Sequence, residues 1–191
     1  ARKIHDIALS GNGEPTSAKE FEQVIELIGS ILKNFNVLKD LKLVLITNGS
    51  LIYRQSVQAG LERMAQLNGE VWFKFDRALP EERQRINNTR ISLKKIHHHL
   101  QIVTSLCPTW LQTCVFQING TPPSELETKA YLKFVSSLKD EGLPLKGVLL
   151  YGIARPSLQP EAAQLSQVTE SWLIAYGEKI KALGLAVKLN P

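Results

Sequence analysis

The residues best suited to chemistry in this chain stand where apolar runs stop. Residues 7–9 are Ile-Ala-Leu, and Ser10-Gly11-Asn12-Gly13-Glu14-Pro15-Thr16 follow at once. This is the pattern of a strand delivering one carboxylate, Glu14, to a loop. Gly11 and Gly13 can take positive φ and let a ligand approach the backbone closely, while Pro15 lacks an N–H and stiffens the exit. Two glycines and a proline also make a tight turn between a strand and a helix, so the loop by itself fits either reading. The same polar punctuation recurs where later runs end: Thr47-Asn48-Gly49, Lys74 with Asp76, Gln117 with Asn119, and Arg155. Period-two alternation puts Val71, Phe73 and Phe75 on one face of their strand and Trp72, Lys74 and Asp76 on the other. Lys74 and Asp76 therefore point the same way, either lining a cavity or forming a structural ion pair.

The elements that must position these residues alternate without a break. Apolar runs predict strands over 5–10, 43–48, 71–76, 110–119, 147–152 and 186–189. Helical spacing predicts helices over 18–35, 55–67, 93–106, 124–139 and 160–183. Ser17 with Glu20 reads as a capping box opening the first helix, whose buried stripe is Phe21, Val24, Ile25, Ile28, Leu32 and Phe35. Ser124 with Glu127 reads as another, and Gly142 as the glycine closing that helix. Pro160 suits the first position of the last helix, on which Leu165, Val168, Trp172, Tyr176 and Ile180 are spaced to pack. The basic stretch over 80–92 reads as irregular. Such alternation requires right-handed crossovers and a parallel sheet covered by helices, either an open doubly wound sheet or a barrel, whole or partial. In both, the carboxyl ends of the strands gather the ligands, and those are the ends that are polar here.

Composition bounds the class. The chain has 191 residues, 43% of them hydrophobic and 21% charged, with a net charge of +5. It has no apolar run near the length of a membrane span and no visible targeting peptide, so a globular, cytoplasmic protein is expected, most simply as a single domain over 1–191. Cys107 and Cys114 suit neither a zinc knuckle nor a disulfide framework and read as two reduced structural thiols.

Together, Ser10-Gly11-Asn12-Gly13-Glu14-Pro15-Thr16, Leu45-Ile46-Thr47-Asn48-Gly49-Ser50-Leu51 and Val71-Trp72-Phe73-Lys74-Phe75-Asp76 resemble, in order and spacing, successive strand ends of the radical S-adenosylmethionine superfamily. The resemblance runs from Ile4 to about Pro156 and is closest to the branch of wyosine-type tRNA-modifying enzymes and uncharacterised iron–sulfur oxidoreductases. It implies an α/β fold, a partial (β/α)6 TIM-like barrel with parallel strands. It also implies that Gly11, Asn12, Gly13 and Glu14 bind the amino group of the cofactor's methionine moiety. The chemistry is sound, because a carboxylate and outward-facing carbonyls can accept the three N–H donors of an ammonium. By the same resemblance Lys74 and Asp76 meet the cofactor's carboxylate and ribose hydroxyls, Asn48, Gln117 and Asn119 are further contacts, and Ile153 and Ala154 lie flat against its adenine.

The family's C-x3-C-x2-C loop, which follows the first strand and holds a four-iron, four-sulfur cluster, is absent from these 191 residues. Cys107 and Cys114 lie too late and at the wrong spacing to replace it. The expectation is therefore a radical enzyme core without its first βα unit, which binds S-adenosylmethionine and, in complete form, generates a deoxyadenosyl radical that abstracts a substrate hydrogen. This chain alone is expected to be inactive. A catalytically inactive shortened barrel that binds a nucleotide-like ligand or a partner chain is the alternative. A missing first unit also predicts an uncovered sheet edge and self-association through it.

The remaining features point elsewhere. His97, His98 and His99 fan out by about 100° each on a helix and cannot converge on one ion, so they read as surface residues. Arg77, Arg83, Arg85, Arg90, Lys94 and Lys95 read as a solvated basic face, with a grip on the phosphates of a tRNA substrate as the sharper alternative. Trp110, Trp172 and Tyr176 suit core packing.

Overall fold

A computed structural model describes residues 4–11, 13–153, 158 and 160–190. Eight strands and six α-helices follow in chain order: β1 (Asp6–Leu9), α1 (Phe21–Asn34), β2 (Lys42–Thr47), α2 (Gln55–Gln66), β3 (Gly69–Lys74), α3 (Pro80–Asn87), α4 (Leu93–Leu106), β4 (Thr109–Cys114), β5 (Gln117–Ile118), α5 (Glu125–Asp140), β6 (Leu145–Tyr151), β7 (Leu165–Ser166), α6 (Glu170–Lys181) and β8 (Val187–Asn190). Six strands form one sheet in the order β1-β2-β3-β4-β6-β8. The pairings of β1 with β2, β2 with β3 and β6 with β8 are parallel. Each strand of this sheet neighbours the next one in sequence. That is the winding of a barrel segment, whereas a doubly wound sheet reverses its order partway.

The chain divides into two compact units. The first comprises Ala1–Lys74, Lys94–Trp110 and Leu143–Leu145. Its strand β2 buries Leu43, Val44 and Leu45 in succession, as a strand covered on both faces must. On α1 the buried residues are Phe21, Ile25, Gly29 and Leu32. Val24 and Phe35, expected in that stripe, are exposed. The Ser17–Glu20 capping box does not form: Glu20 is the N-cap of α1 without a side-chain hydrogen bond, and a separate 3-10 turn occupies Pro15–Ser17.

The second unit comprises Phe75–Leu93, Leu111–Gly142 and Lys146–Pro191. Phe75 stacks on Tyr131 with ring centroids 5.5 Å apart, and the Tyr131 hydroxyl lies 2.6 Å from Thr113 Oγ1, which donates to the Phe75 carbonyl. The Ser124–Glu127 capping box opens α5 as expected, and Gly142 takes φ 76° just beyond the helix. Three expectations need correction. The stretch over 80–92 contains α3, begun by Pro80 with Glu81 and Glu82 in its first turn and closed by Asn88 in the left-handed conformation. The fourth strand ends at Cys114, and β5 is a separate short strand after which Ile118-Asn119-Gly120-Thr121 turns back with φ of 50° at Asn119 and 73° at Gly120, the signs a tight hairpin turn requires. The last helix begins at Glu170 behind a Thr169 cap, so Leu165 and Val168 precede it.

Candidate cofactor-binding site

Glu14 is the hub of the polar end of the first unit. Its Oε1 accepts hydrogen bonds from the Thr16 amide (3.2 Å), the Thr16 hydroxyl (2.7 Å) and the Thr47 hydroxyl (2.6 Å), while Oε2 accepts from the Asn48 amide (2.8 Å). The carboxylate thus caps the 3-10 turn that follows it and fastens the loop after β1 to the end of β2. It is a structural tie of the loop as well as a candidate ligand group. Oε1 is saturated, but Oε2 retains acceptor capacity for one more donor.

In the loop before Glu14, a Cβ on Gly11 or Gly13 would meet nothing within 4 Å, so space is open at both. Asn12 lies outside the described residues. The glycine whose conformation matters is Gly49, at φ 72°, where a Cβ would run into the Phe73 ring. Asn48 is exposed, and its Oδ1 accepts from the Ser50 amide at 2.9 Å, an Asx turn that holds the Thr47-Asn48-Gly49 segment in shape.

His99 supports this segment from α4. It is 2% exposed, it hydrogen-bonds to the Gly49 backbone, and its Nδ1 has no hydrogen-bond partner. Burial, reinforced by the nearby charge of Lys95, holds its pKa below the usual histidine value. The three histidines do fan out: His98 is exposed and His97 half-buried, but His99 is a core residue and not a surface one. Lys74 is exposed at the end of β3. Because Thr47 pairs with Phe73, Lys74 stands one residue beyond Thr47 at the same end of the sheet.

The remaining candidates lie in the second unit. Asp76 is 8% exposed, with Oδ2 accepting from Asn87 Nδ2 (2.7 Å) and Oδ1 from the Cys114 amide (2.8 Å). A buried Lys74–Asp76 pair is therefore not what the structure presents, since Lys74 is exposed and Asp76 has other partners. Gln117 and Asn119 are not at the end of β4 but in the small antiparallel ribbon of β5 and β7. There Gln117 Oε1 accepts from Ser166 Oγ at 3.0 Å, and the Asn119 amide donates to the Gln164 carbonyl at 2.8 Å. The Ile153 carbonyl accepts from Gln167 Nε2 at 2.8 Å, and Ala154, Arg155 and Pro156 lie outside the described residues. Arg77 and Arg83, read as part of a solvated basic face, are 4% and 5% exposed and donate to backbone carbonyls: Arg77 to Asp76 and Cys114, Arg83 to Ala78 and Ile91. A phosphate grip has only the outer cations left to it.

The donor set does not fit an iron–sulfur cluster. Cys107 is buried and donates to the Gly69 carbonyl, Cys114 is half-buried and donates to the Gly152 carbonyl, and neither is in a disulfide. Among the described residues no three His, Cys, Asp or Glu side chains are grouped to hold a metal ion. The acceptor left on Glu14 Oε2 and the open space at Gly11 and Gly13 do fit an ammonium-bearing ligand. Thr47 and Asn48 were legible as strand-end residues, whereas the part of His99 was hidden in a run of three histidines.

No protein-family model matches the chain, and no curated protein does. Solved structures do. A domain of the pyruvate-formate lyase-activating enzyme from Bacteroides vulgatus superposes with a TM-score of 0.60 at 13% identity, over 98% of this chain and 99% of that one. A radical SAM methyltransferase from Sphaerobacter thermophilus superposes with a TM-score of 0.69 at 14% identity, over 99% of this chain and 51% of that one. The chain therefore spans about half the length of the methyltransferase. What is shared at these identities is the fold: an α/β architecture with a six-stranded parallel sheet, the arrangement of a partial TIM-like barrel.

Proposed function

We propose that this chain is the S-adenosylmethionine-binding core of a radical S-adenosylmethionine enzyme. The observation that carries the reading is the tie between Glu14 and the Thr47-Asn48-Gly49 segment at the carboxyl ends of adjacent parallel strands, on a fold shared with a solved radical SAM methyltransferase. Glu14 Oε2 takes the ammonium of the methionine moiety, in the space that Gly11 and Gly13 leave open. Lys74, exposed at the same sheet end, answers the carboxylate. Thr16, Thr47 and His99 do not touch the ligand in this reading but hold Glu14 and Gly49 where the ligand needs them.

The cofactor of such an enzyme supplies a 5′-deoxyadenosyl radical after reductive cleavage. The thiolates that hold the reducing cluster are not among these residues, so no step through a cluster is assigned to them. The test is calorimetric titration of S-adenosylmethionine into the protein. A saturable one-to-one heat that S-adenosylhomocysteine competes away supports the reading. No heat at millimolar ligand overturns it.

A further inference from the structure

A chain of hydrogen bonds runs back from Glu14 into the core of the first unit. Glu14 Oε1 accepts from the Thr47 hydroxyl at 2.6 Å, and Thr47 Oγ1 in turn accepts from the Gly49 amide at 3.0 Å. The next link is the ring of His99 on α4, 2% exposed, which hydrogen-bonds to the Gly49 backbone. Gly49 has little room to adjust, because it sits at φ 72° against the Phe73 ring, and the Ile52 amide reaches its carbonyl only at 3.4 Å. All of these residues belong to the same compact unit.

This link exists in one protonation state. A neutral imidazole carries one N–H, which goes to Gly49, and its other nitrogen, Nδ1, is buried without a hydrogen-bond partner. A second proton would have to sit on Nδ1, where no acceptor meets it. The titratable groups facing the ring are Lys95 and His98 on its own helix and Tyr53 in the turn after β2, whose ring centroid is 6.4 Å away. Burial is the largest force keeping His99 neutral, and the charges of Lys95 and then His98 add to it against the Gly49 contact. Water is the better place for an imidazolium, so a proton on His99 draws the ring away from Gly49 and removes the last link of the chain.

We propose that His99 is a positioning residue that makes the Glu14 site proton-gated: the site holds S-adenosylmethionine while the ring rests on Gly49 and loosens its hold when the ring takes a proton. The physical route is the turn itself. Freed of His99, Gly49 no longer fixes Thr47 and Asn48, and these are the residues that aim both oxygens of Glu14. The proposal rests on the S-adenosylmethionine reading and adds the regulation of that site. Linkage makes the effect reciprocal, so binding of the ligand must expel a proton from His99 wherever the free protein carries one.

The test is calorimetric titration of S-adenosylmethionine into the whole chain at pH 7 and pH 5.5, in two buffers of different ionisation enthalpy, for wild type, His99→Gln and the exposed control His98→Gln. The ligand's amino group is mainly an ammonium over that range. Wild type and His98→Gln should lose at least about fivefold in affinity at the lower pH and release protons on binding there, whereas His99→Gln should bind with little pH dependence. Equal affinities at both pH values in the wild type, equal losses in wild type and His99→Gln, or binding without proton release overturns the proposal. A second arm needs no ligand and no variant. In nitrogen-15 spectra of the free protein, the amides of Thr47, Asn48 and Gly49 should shift with the midpoint of the His99 ring, and amides that stay still while the ring titrates overturn the proposal even if His99→Gln fails to fold. Amides that follow the ring in a protein that takes up no S-adenosylmethionine at either pH support the coupling of His99 to Glu14 and overturn the ligand assignment instead.

Discussion

Glu14 carries two jobs on one carboxylate, and they separate by atom: Oε1 is spent on Thr16 and Thr47, whereas Oε2 holds the Asn48 amide and has room for a ligand. Glu14→Gln keeps one carbonyl oxygen and loses the charge, so it should destabilise the fold by about 1–2 kcal/mol through the weakened Thr47 and Asn48 bonds. For a protein of this size that is a melting temperature lower by roughly 2–8 °C. The same change should weaken S-adenosylmethionine by about tenfold or more. A melt and a titration on one variant read both. An unchanged melting temperature would show that the Glu14 network is not structural, and unchanged affinity would remove Glu14 from the ligand. His99 gives a pH test of the same segment. Its folded-state pKa is depressed, so the unfolded chain binds the proton more readily. Stability is then fully present above the unfolded histidine value near 6.5 and is lost as pH falls below it toward the folded value. Denaturation midpoints should drop between pH 7 and pH 5 in the wild type and drop less in His99→Gln. Equal slopes would mean that His99 titrates as it does in water.

At the scale of elements, two glycines of positive φ predict opposite outcomes for one substitution. Gly49 ends the turn after β2 with the Phe73 ring where a Cβ would stand, whereas Gly120 turns the β5 ribbon with open space around it. Gly120→Ala should cost only the left-handed backbone, about 1 kcal/mol. Gly49→Ala adds overpacking against a buried ring and should cost about 2–4 kcal/mol in all. Urea titrations of the two variants measure the difference, and equal losses would mean that Phe73 moves aside freely. The hairpin turn around Gly120 also shows how local chemistry ends β5 at Ile118. An Asn-Gly pair was readable as a turn, yet the run over 110–119 reads as one strand until that pair is given priority.

For the whole molecule, the edge of the sheet matters most. β1 lies at one end of the strand order and, among the described residues, pairs with β2 alone. On α1 and its C-cap, in the same unit, Val24, Leu27, Ile31 and the cap residue Phe35 recur at helical spacing and are exposed, Leu27 by 61% and Phe35 by 75%. An edge strand and an exposed apolar helix stripe in one unit are the features from which self-association is expected. Sedimentation velocity should show concentration-dependent self-association that Leu27→Lys with Phe35→Lys suppresses without lowering the melting temperature. A wild type that stays monomeric at the highest concentration would count against it. Anaerobic treatment with iron and sulfide gives a second test at this scale. Two separated thiols should hold no stoichiometric cluster, and an iron-to-protein ratio near four would refute that. Among the described residues no helix is long and apolar enough to cross a membrane.

What the sequence determined by itself was periodic or local. Alternating apolar runs placed five of the six strands of the main sheet to within a few residues and ran the fourth on past its end at Cys114, and the Ser124–Glu127 box and Gly142 marked both ends of α5, because hydrogen-bond spacing and side-chain period act between near neighbours. The strand ends also announced where polar chemistry would gather. Tertiary structure decided the rest. Barrel winding over a doubly wound sheet depends on which strands pair across long loops. The partners of Glu14 come from Thr47 and Asn48, more than thirty positions away. His99 is buried while His98 beside it is not, because only the packing of α4 chooses which face turns inward. Arg77 reads in sequence as one more surface cation; its burial against the carbonyls of Asp76 and Cys114 and the Phe116 ring comes from segments brought together by the fold, and no spacing along the chain encodes that encounter.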